Sequence, residues 1–229
     1  MCGIIGYSSH QKSSTTAQKI VQGLKKMEYR GYDSWGVAIA KPGKILIDKK
    51  TGAIGELGRN IKNSLPLGIG HTRWATHGGV TKNNAHPHLS VGGRFAVVQN
   101  GIVENFIELK KKLQKDGYKF KTQTDTEVIV HLVHKFLKKN DLREASRLAF
   151  LELKGRNTFV VLDHQTKTII AVRQGSPLVV GRSKDEVLLA SDTIPLLGNV
   201  PEIVYVDDNQ LVEIWMVSII YIVLNLVKK

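Results

Sequence analysis

Cysteine is almost missing from this chain: Cys2 is the only one in 229 residues. An internal disulfide is therefore excluded, as is a cysteine-built zinc site, and the usage suits a reducing cytosol. Proline is scarce too, with 6 residues, and no proline-rich linker, repeat or low-complexity tract divides the sequence. One domain is the expectation. The amino terminus shows no basic stretch followed by an apolar run, so no secretory signal is read there. The apolar run 214–227 is 14 residues, short of the roughly 18 to 20 that cross a bilayer, so no spanning segment is expected. Acidic residues are outnumbered, 20 against 33 basic ones, for a net charge of +13. That excess raises the question of nucleic acid, yet the basic residues are spread out and the densest run, Lys110 to Lys112, falls in a helical pattern. Without an aromatic-basic motif beside it, a solvated basic face is the better account.

What is present begins at Met1-Cys2-Gly3-Ile4-Ile5-Gly6-Tyr7. Removal of the initiator methionine would leave Cys2 as the terminal residue, with a thiol and an α-amine on one amino acid. A free thiol ionises near pH 8.5 and is mostly protonated at neutrality, whereas the amine, at roughly 7.7 to 8.0, is a base close to operating pH. Nucleophile and base would then share one residue. The plainer alternative is a small buried cysteine in an apolar first strand, and residues downstream decide between the two.

The apolar pattern predicts a strand at Ile4–Tyr7, a helix over about 15–29, a turn at Arg30-Gly31-Tyr32-Asp33-Ser34, and strands at 35–40 and 45–47 separated by Pro42-Gly43. A short helix is a weak expectation around Ile54, Leu57 and Ile61. A strand then leads into Gly70-His71-Thr72-Arg73-Trp74-Ala75-Thr76-His77-Gly78-Gly79, a dense polar and aromatic segment of the kind that forms binding loops. Asn83 to His88 continues that loop, and a strand over 95–99 ends on Asn100-Gly101. Three helices follow. Asn105 and Glu108 should cap the first and Gly117 close it, Thr124-Asp125-Thr126-Glu127 reads as a capping box for the second, and Asp141 with Glu144 starts the third. Strands return at 158–162, 168–172, 178–181 and 187–190 with links too short for helical crossovers, so antiparallel pairing follows. The fold class is α+β, antiparallel sheets with helices packed on them.

Taken together and in this order, Cys2 to Tyr7, Arg30 to Ser34, Gly70 to Gly78, Ala85-His86-Pro87-His88, Asn100 to Asn105 and Thr124 to Glu127 resemble the glutaminase half of the glucosamine-6-phosphate synthases. These are class-II glutamine amidotransferases. Arg173 to Leu178 and Ala190-Ser191-Asp192 extend the likeness to about residue 210. The resemblance implies an amino-terminal-nucleophile hydrolase fold, a four-layer αββα sandwich of two antiparallel sheets between helices. It implies hydrolysis of the glutamine side-chain amide through a Cys2 thioester, with the Asn100 amide and the Gly101 N–H holding the oxyanion. Arg73 would take the substrate carboxylate and Asp125 its ammonium, with Trp74, Thr76 and His77 closing a loop over L-glutamine. It implies no cofactor and no metal, and the histidines at 71, 77, 86 and 88 are expected to order the loop through hydrogen bonds rather than bind zinc. A cytoplasmic location, a separate sugar-phosphate isomerase subunit and a homo-oligomer are further expectations. Alone, each motif has a plainer reading: Asp125 as a first-turn acid, Asn100-Gly101 as a hairpin signal, Trp74 as core.

Three departures stand out. Gln99 replaces an expected histidine, Trp35 an expected small residue, and after Glu213 the likeness stops. The domain is accordingly set at 2–213, followed by an apolar tail at 214–229 that could form a strand, an interfacial helix or a docking segment, and the isomerase domains are expected to be absent. The preferred account of the tail is an out-of-register ending from a broken or split reading frame; the rival functional readings are another class-II amidotransferase, such as amidophosphoribosyltransferase or asparagine synthetase, and an inactive truncated remnant.

Overall fold

The computed structural model describes residues 2–10, 15–58, 61 and 65–224. Strand β1 (Gly3–Ser9) starts directly after Cys2 and is buried throughout. Helix α1 (Thr16–Lys25) precedes the hairpin β2 (Ser34–Lys41) and β3 (Lys44–Thr51), and β4 (Leu67–Arg73) runs up to the polar loop. A short β5 (His88–Leu89) and a long β6 (Phe95–Gly101) lead to α2 (Phe106–Lys115), α3 (Thr126–Leu137) and α4 (Leu142–Glu152). Seven further strands complete the order: β7 (Asn157–Asp163), β8 (Thr168–Arg173), β9 (Val179–Arg182), β10 (Glu186–Ala190), β11 (Glu202–Tyr205), β12 (Gln210–Trp215) and β13 (Ser218–Val223).

They form two antiparallel sheets, ordered β11-β9-β10-β1-β4-β2-β3 and β13-β12-β8-β7-β6-β5. Period-two alternation explains the layering. Along β2, Ala38 and Ala40 face the second sheet, meeting Val98, Val160 and Ile169, while Val37 and Ile39 face outward onto Ile20 and Leu24 of α1. On the second sheet, Val97, Phe159 and Ile170 point away from the first, onto Val128, Ile129 and Leu132 of α3. Three apolar interfaces therefore separate four layers, helix, sheet, sheet, helices. This is the αββα sandwich expected from the resemblance.

Several elements differ from expectation. Helix α1 stops at Lys25 because Met27 N–H turns back to Leu24 O (2.8 Å) and a 3-10 turn, Glu28–Arg30, swings Arg30 inward. Residues 52–58 have no regular structure, and 59–60 and 62–64 of the weak helix expectation lie outside the described residues. Asn105 occupies the cap position of α2 without capping it; its amide instead bridges Glu152 O and Lys154 N–H, both at 2.9 Å. Gly117, at φ +88, closes that helix as read, and Asp141 caps α4 by accepting from Glu144 N–H at 2.8 Å. The Thr124–Glu127 box does not form. Glu127 reaches back to Lys121 N–H, Thr122 N–H and the Thr122 hydroxyl, each 2.7 Å away, because Thr124 and Asp125 are turned toward the cavity described below. Strands β11 and β12 were not foreseen as strands, and of the options open for the tail it is the strand that forms. Residues 214–224 complete β12 and form the edge strand β13, with Ile214, Val217 and Leu224 buried. Trp35 finds its room: fully buried beside Ile54 and Ile61, it donates its indole N–H to Ala53 O at 3.0 Å.

Candidate active site

Because β1 lies between β10 and β4, and β4 runs antiparallel to it, the start of β1 and the end of β4 meet at one rim of the sheet. Cys2 and Arg73 are thereby placed together by register, Gly3 opposite Thr72. The end of β6, with Asn100 and Gly101, arrives at the same rim from the second sheet, and the approach to α3 brings Thr124 and Asp125. Cys2, Arg73, Trp74, Thr76, His77, Gly101 and Asp125 line one small cavity together with His86, Gln99 and Thr124. Asn100 lies behind Cys2, donating its side-chain N–H to the Cys2 carbonyl at 3.0 Å.

Cys2 is held on both sides of its peptide. Its carbonyl also accepts from Arg30 Nε at 3.2 Å, and Arg30 is fixed by Asp192 at 2.7 Å, which the Tyr29 hydroxyl joins at 2.6 Å. The sulfur accepts the Trp74 backbone N–H at 3.2 Å. Burial pushes the Cys2 thiol up from its ordinary range, only partly offset by the Trp74 N–H and the Arg73 charge. A neutral thiol at physiological pH needs a base to remove its proton at the moment of attack.

The segment between the strands is organised by its own main chain. Asp33 accepts Ala75 N–H at 2.6 Å and its own N–H bonds Arg73 O at 3.1 Å, so the Arg30–Ser34 turn clamps the start of the loop. Glycine is required within that clamp, since a Cβ on Gly31 would lie 2.8 Å from the Arg73 carbonyl carbon. The Arg73 guanidinium, 3% exposed, donates to the carbonyls of His77, Gly78 and Gly79, the last two at 3.2 Å. Trp74, in contrast, is 47% exposed and stands edge-on to Tyr32. The His77 ring packs edge-on to Phe106. Asp125 is 4% exposed and accepts Val103 N–H at 2.8 Å; burial raises its pKa, while that N–H and His77 oppose the rise.

Gly101 has φ +106, and a Cβ there would fall 1.8 Å from Arg156 O, so no side chain fits. Its main chain can face the cavity only because it has none.

Sequence reading did not single out the polar chain behind this cavity. His71 Nε2 lies 3.0 Å from Gln99 O and 3.1 Å from Asn100 Oδ1, and its Nδ1 lies 3.1 Å from His86 Nδ1. His86 Nε2 meets the Thr126 hydroxyl at 2.8 Å, Thr126 meets Gln99 Oε1 at 2.7 Å, and Gln99 donates to Asn157 Oδ1 at 3.0 Å. His88 joins Thr124 at 3.0 Å. Burial depresses His71 and His88 to about 3 and His86 well below its ordinary value, so these rings are neutral. The only signal in the sequence was the cluster of histidines itself; three of the four rings lie in the interior behind the cavity rather than in the loop. Among the described residues no group of three or more His, Cys, Asp or Glu is arranged to hold a metal ion.

A family profile described as a glutamine amidotransferase domain matches residues 71–198. The chain belongs to the glutamine amidotransferase family. It is 47% identical over 221 residues to the glutamine–fructose-6-phosphate aminotransferase (isomerizing) of Aquifex aeolicus, covering 93% of this chain and 36% of that protein. The enzyme of the same name from Pyrococcus horikoshii is 46% identical over 216 residues, covering 92% and 36%. The chain thus spans little more than a third of these relatives. In structure it superposes on the glutamine phosphoribosylpyrophosphate amidotransferase of B. subtilis with a TM-score of 0.79 and 25% identity, over 98% of this chain and 49% of that one. An allosteric regulatory enzyme of purine biosynthesis gives a TM-score of 0.82, also at 25% identity. This glutamine amidotransferase domain is therefore similar in sequence to the first group and in fold to the second. No helix among its described residues is long and apolar enough to cross a membrane.

Proposed function

We propose that this domain hydrolyses L-glutamine to glutamate and ammonia, the ammonia-supplying half of an amidotransferase reaction, with Cys2 as nucleophile. The carrying observation is the meeting, at one rim, of Cys2 with an Asn100-Gly101 strand end on one side and a buried cation and anion, Arg73 and Asp125, on the other. Free glutamine carries a carboxylate, an ammonium and an amide, and a site of this composition answers each.

The Cys2 thiol, kept protonated by burial, loses its proton to the α-amine of the processed terminus as sulfur attacks the δ-carbon. The oxyanion is held by the second N–H of the Asn100 amide and by Gly101 N–H. The amine returns the proton to the leaving nitrogen, ammonia departs, and water repeats the sequence on the γ-glutamyl thioester, releasing glutamate and the thiol. Arg73 exchanges the carbonyls of His77 to Gly79 for the substrate carboxylate, and Asp125 takes the ammonium. Trp74, Thr76 and His77 close over the bound amino acid. The relatives' names include fructose 6-phosphate, which suggests the acceptor of the ammonia, reached through a sugar-phosphate isomerase unit outside this chain; a cytoplasmic setting belongs to the same proposal.

Glutamate release from glutamine by the methionine-processed protein tests this, with Cys2→Ala as the blank. Turnover that vanishes in Cys2→Ala is the expected result, a loss of at least about 10³-fold. Equal turnover in both proteins would remove Cys2 from the chemistry, and retention of Met1, which turns the amine into an amide, should be as damaging as the substitution.

A further inference from the structure

We infer that His71 is a positioning residue of the oxyanion hole, one that fixes which end of the Asn100 amide faces the substrate. This rests on the reading above, in which Asn100 supplies that hole. A carboxamide has two ends of nearly equal shape and opposite hydrogen-bonding character, and only its NH2 end stabilises an oxyanion. Rotated by half a turn, the same side chain would present an oxygen to a developing negative charge. Something has to choose.

The choice follows from one fixed acceptor. His71 Nε2 lies 3.0 Å from the backbone carbonyl of Gln99, which can only accept, so Nε2 carries the proton. Gln99 sits in the middle of β6, paired with Phe159 of β7, so that carbonyl cannot turn away. The same N–H is 3.1 Å from Asn100 Oδ1 and holds the oxygen end inward, which leaves the NH2 end directed to the Cys2 carbonyl, 3.0 Å away. One proton of that group bonds Cys2 O, and the other is the one that the reading above assigns to the oxyanion. Were His71 the opposite tautomer, its bare Nε2 would repel both oxygens.

The ring itself is held in turn. Its Nδ1 lies 3.1 Å from His86 Nδ1. The far nitrogen of His86 ends on the Thr126 hydroxyl at the start of α3. His71 is completely buried and His86 4% exposed, and the rings stand edge to face at 4.2 Å, so neither can reorient without opening the core. His71 touches no substrate. It acts through Asn100.

The test is a double-substitution cycle on glutaminase kinetics, with far-UV circular dichroism and thermal unfolding confirming that each protein folds. His71→Leu should lower kcat by about 10²-fold, the scale of a lost oxyanion donor, with KM changed less than about threefold. In an Asn100→Ala background the same change should have almost no further effect, because the group through which His71 acts is gone. Losses that multiply, or a loss carried by KM, would overturn the assignment. If His71→Leu does not fold, His71→Gln and His71→Asn decide: the glutamine N–H reaches the Nε2 position and should keep kcat within about fivefold, the asparagine N–H does not and should lose it. Equal activity in that pair would also overturn it. Full activity in Asn100→Ala alone would instead remove the underlying reading.

Discussion

The cavity has two unlike walls. On one, Cys2, Asn100 and Gly101 sit at strand ends whose hydrogen bonds run to the main chain and to a buried side-chain network. On the other, residues 74–79 form a loop whose carbonyls occupy the Arg73 guanidinium, the group proposed to take the substrate carboxylate, with Trp74 half exposed above them. The wall proposed to make and break bonds is fixed before anything binds, as electrostatic stabilisation demands. The wall proposed to recognise the substrate is held by bonds that a bound carboxylate would replace. Substitutions should therefore divide by kinetic parameter, those on the strand wall acting on kcat and those on the loop wall on KM.

The sharpest way to break this division is Gly101→Ala. A methyl group 1.8 Å from Arg156 O forces the chain to move, and kcat should fall by about 10²- to 10³-fold, with a drop in thermal midpoint. Unchanged kcat would show that the Gly101 N–H is not part of the oxyanion hole. Next in size, Arg73→Lys retains the charge and loses the fork. KM for glutamine should rise by about 10- to 100-fold, equivalent to the roughly 1.5 to 3 kcal/mol of a charge-assisted bond, with kcat within a few-fold of the parent. A kcat collapse with unchanged KM would place Arg73 on the wrong wall.

The smallest kinetic effect is expected where α3 begins. Glu127 accepts two backbone N–H groups and a hydroxyl, and its carboxyl is held down to about 2. A carboxylate depressed in the fold stabilises it fully above its unfolded value near 4.5, and that contribution is lost as the pH falls from there towards 2. Glu127→Gln should cost about 1 to 3 kcal/mol at neutral pH and flatten acid unfolding over that window, leaving glutamine turnover nearly intact. An equal acid-unfolding slope in the two proteins would contradict it.

Much of the strand wall was legible because its requirements are local. Cys2 at the head of an apolar strand and Asn100-Gly101 at the end of another are placed by a few neighbouring residues, while their proposed roles came from the resemblance. The loop wall was legible only as residue types. Nothing in Arg73 to Gly79 states that the guanidinium is bonded to its own loop, since that depends on main-chain path. Thr124 to Glu127 misled for the same reason: the pattern fits a capping box, but the tertiary site claims Thr124 and Asp125, and Glu127 caps the turn before them instead. The histidines were visible and their direction was not, because a ring's partners come from β6 and α3, distant in sequence. Strand β11 escaped because it is short, peripheral and mostly exposed, and so shows no clean alternation.

The position of β1 has a consequence for how this catalyst fails. Strand ends near a chain terminus ordinarily fray, and groups carried on them are lost long before the molecule unfolds. Here β1 is paired on both sides. The N–H groups of Gly3 and Ile4 are closed by the hydroxyls of Thr72 and Ser191 at 3.0 and 2.9 Å. Those two amides should exchange with deuterium about as slowly as the innermost strands. The proposed nucleophile would then detach only when the whole domain opens, so the lifetime of activity and the lifetime of the fold become a single quantity.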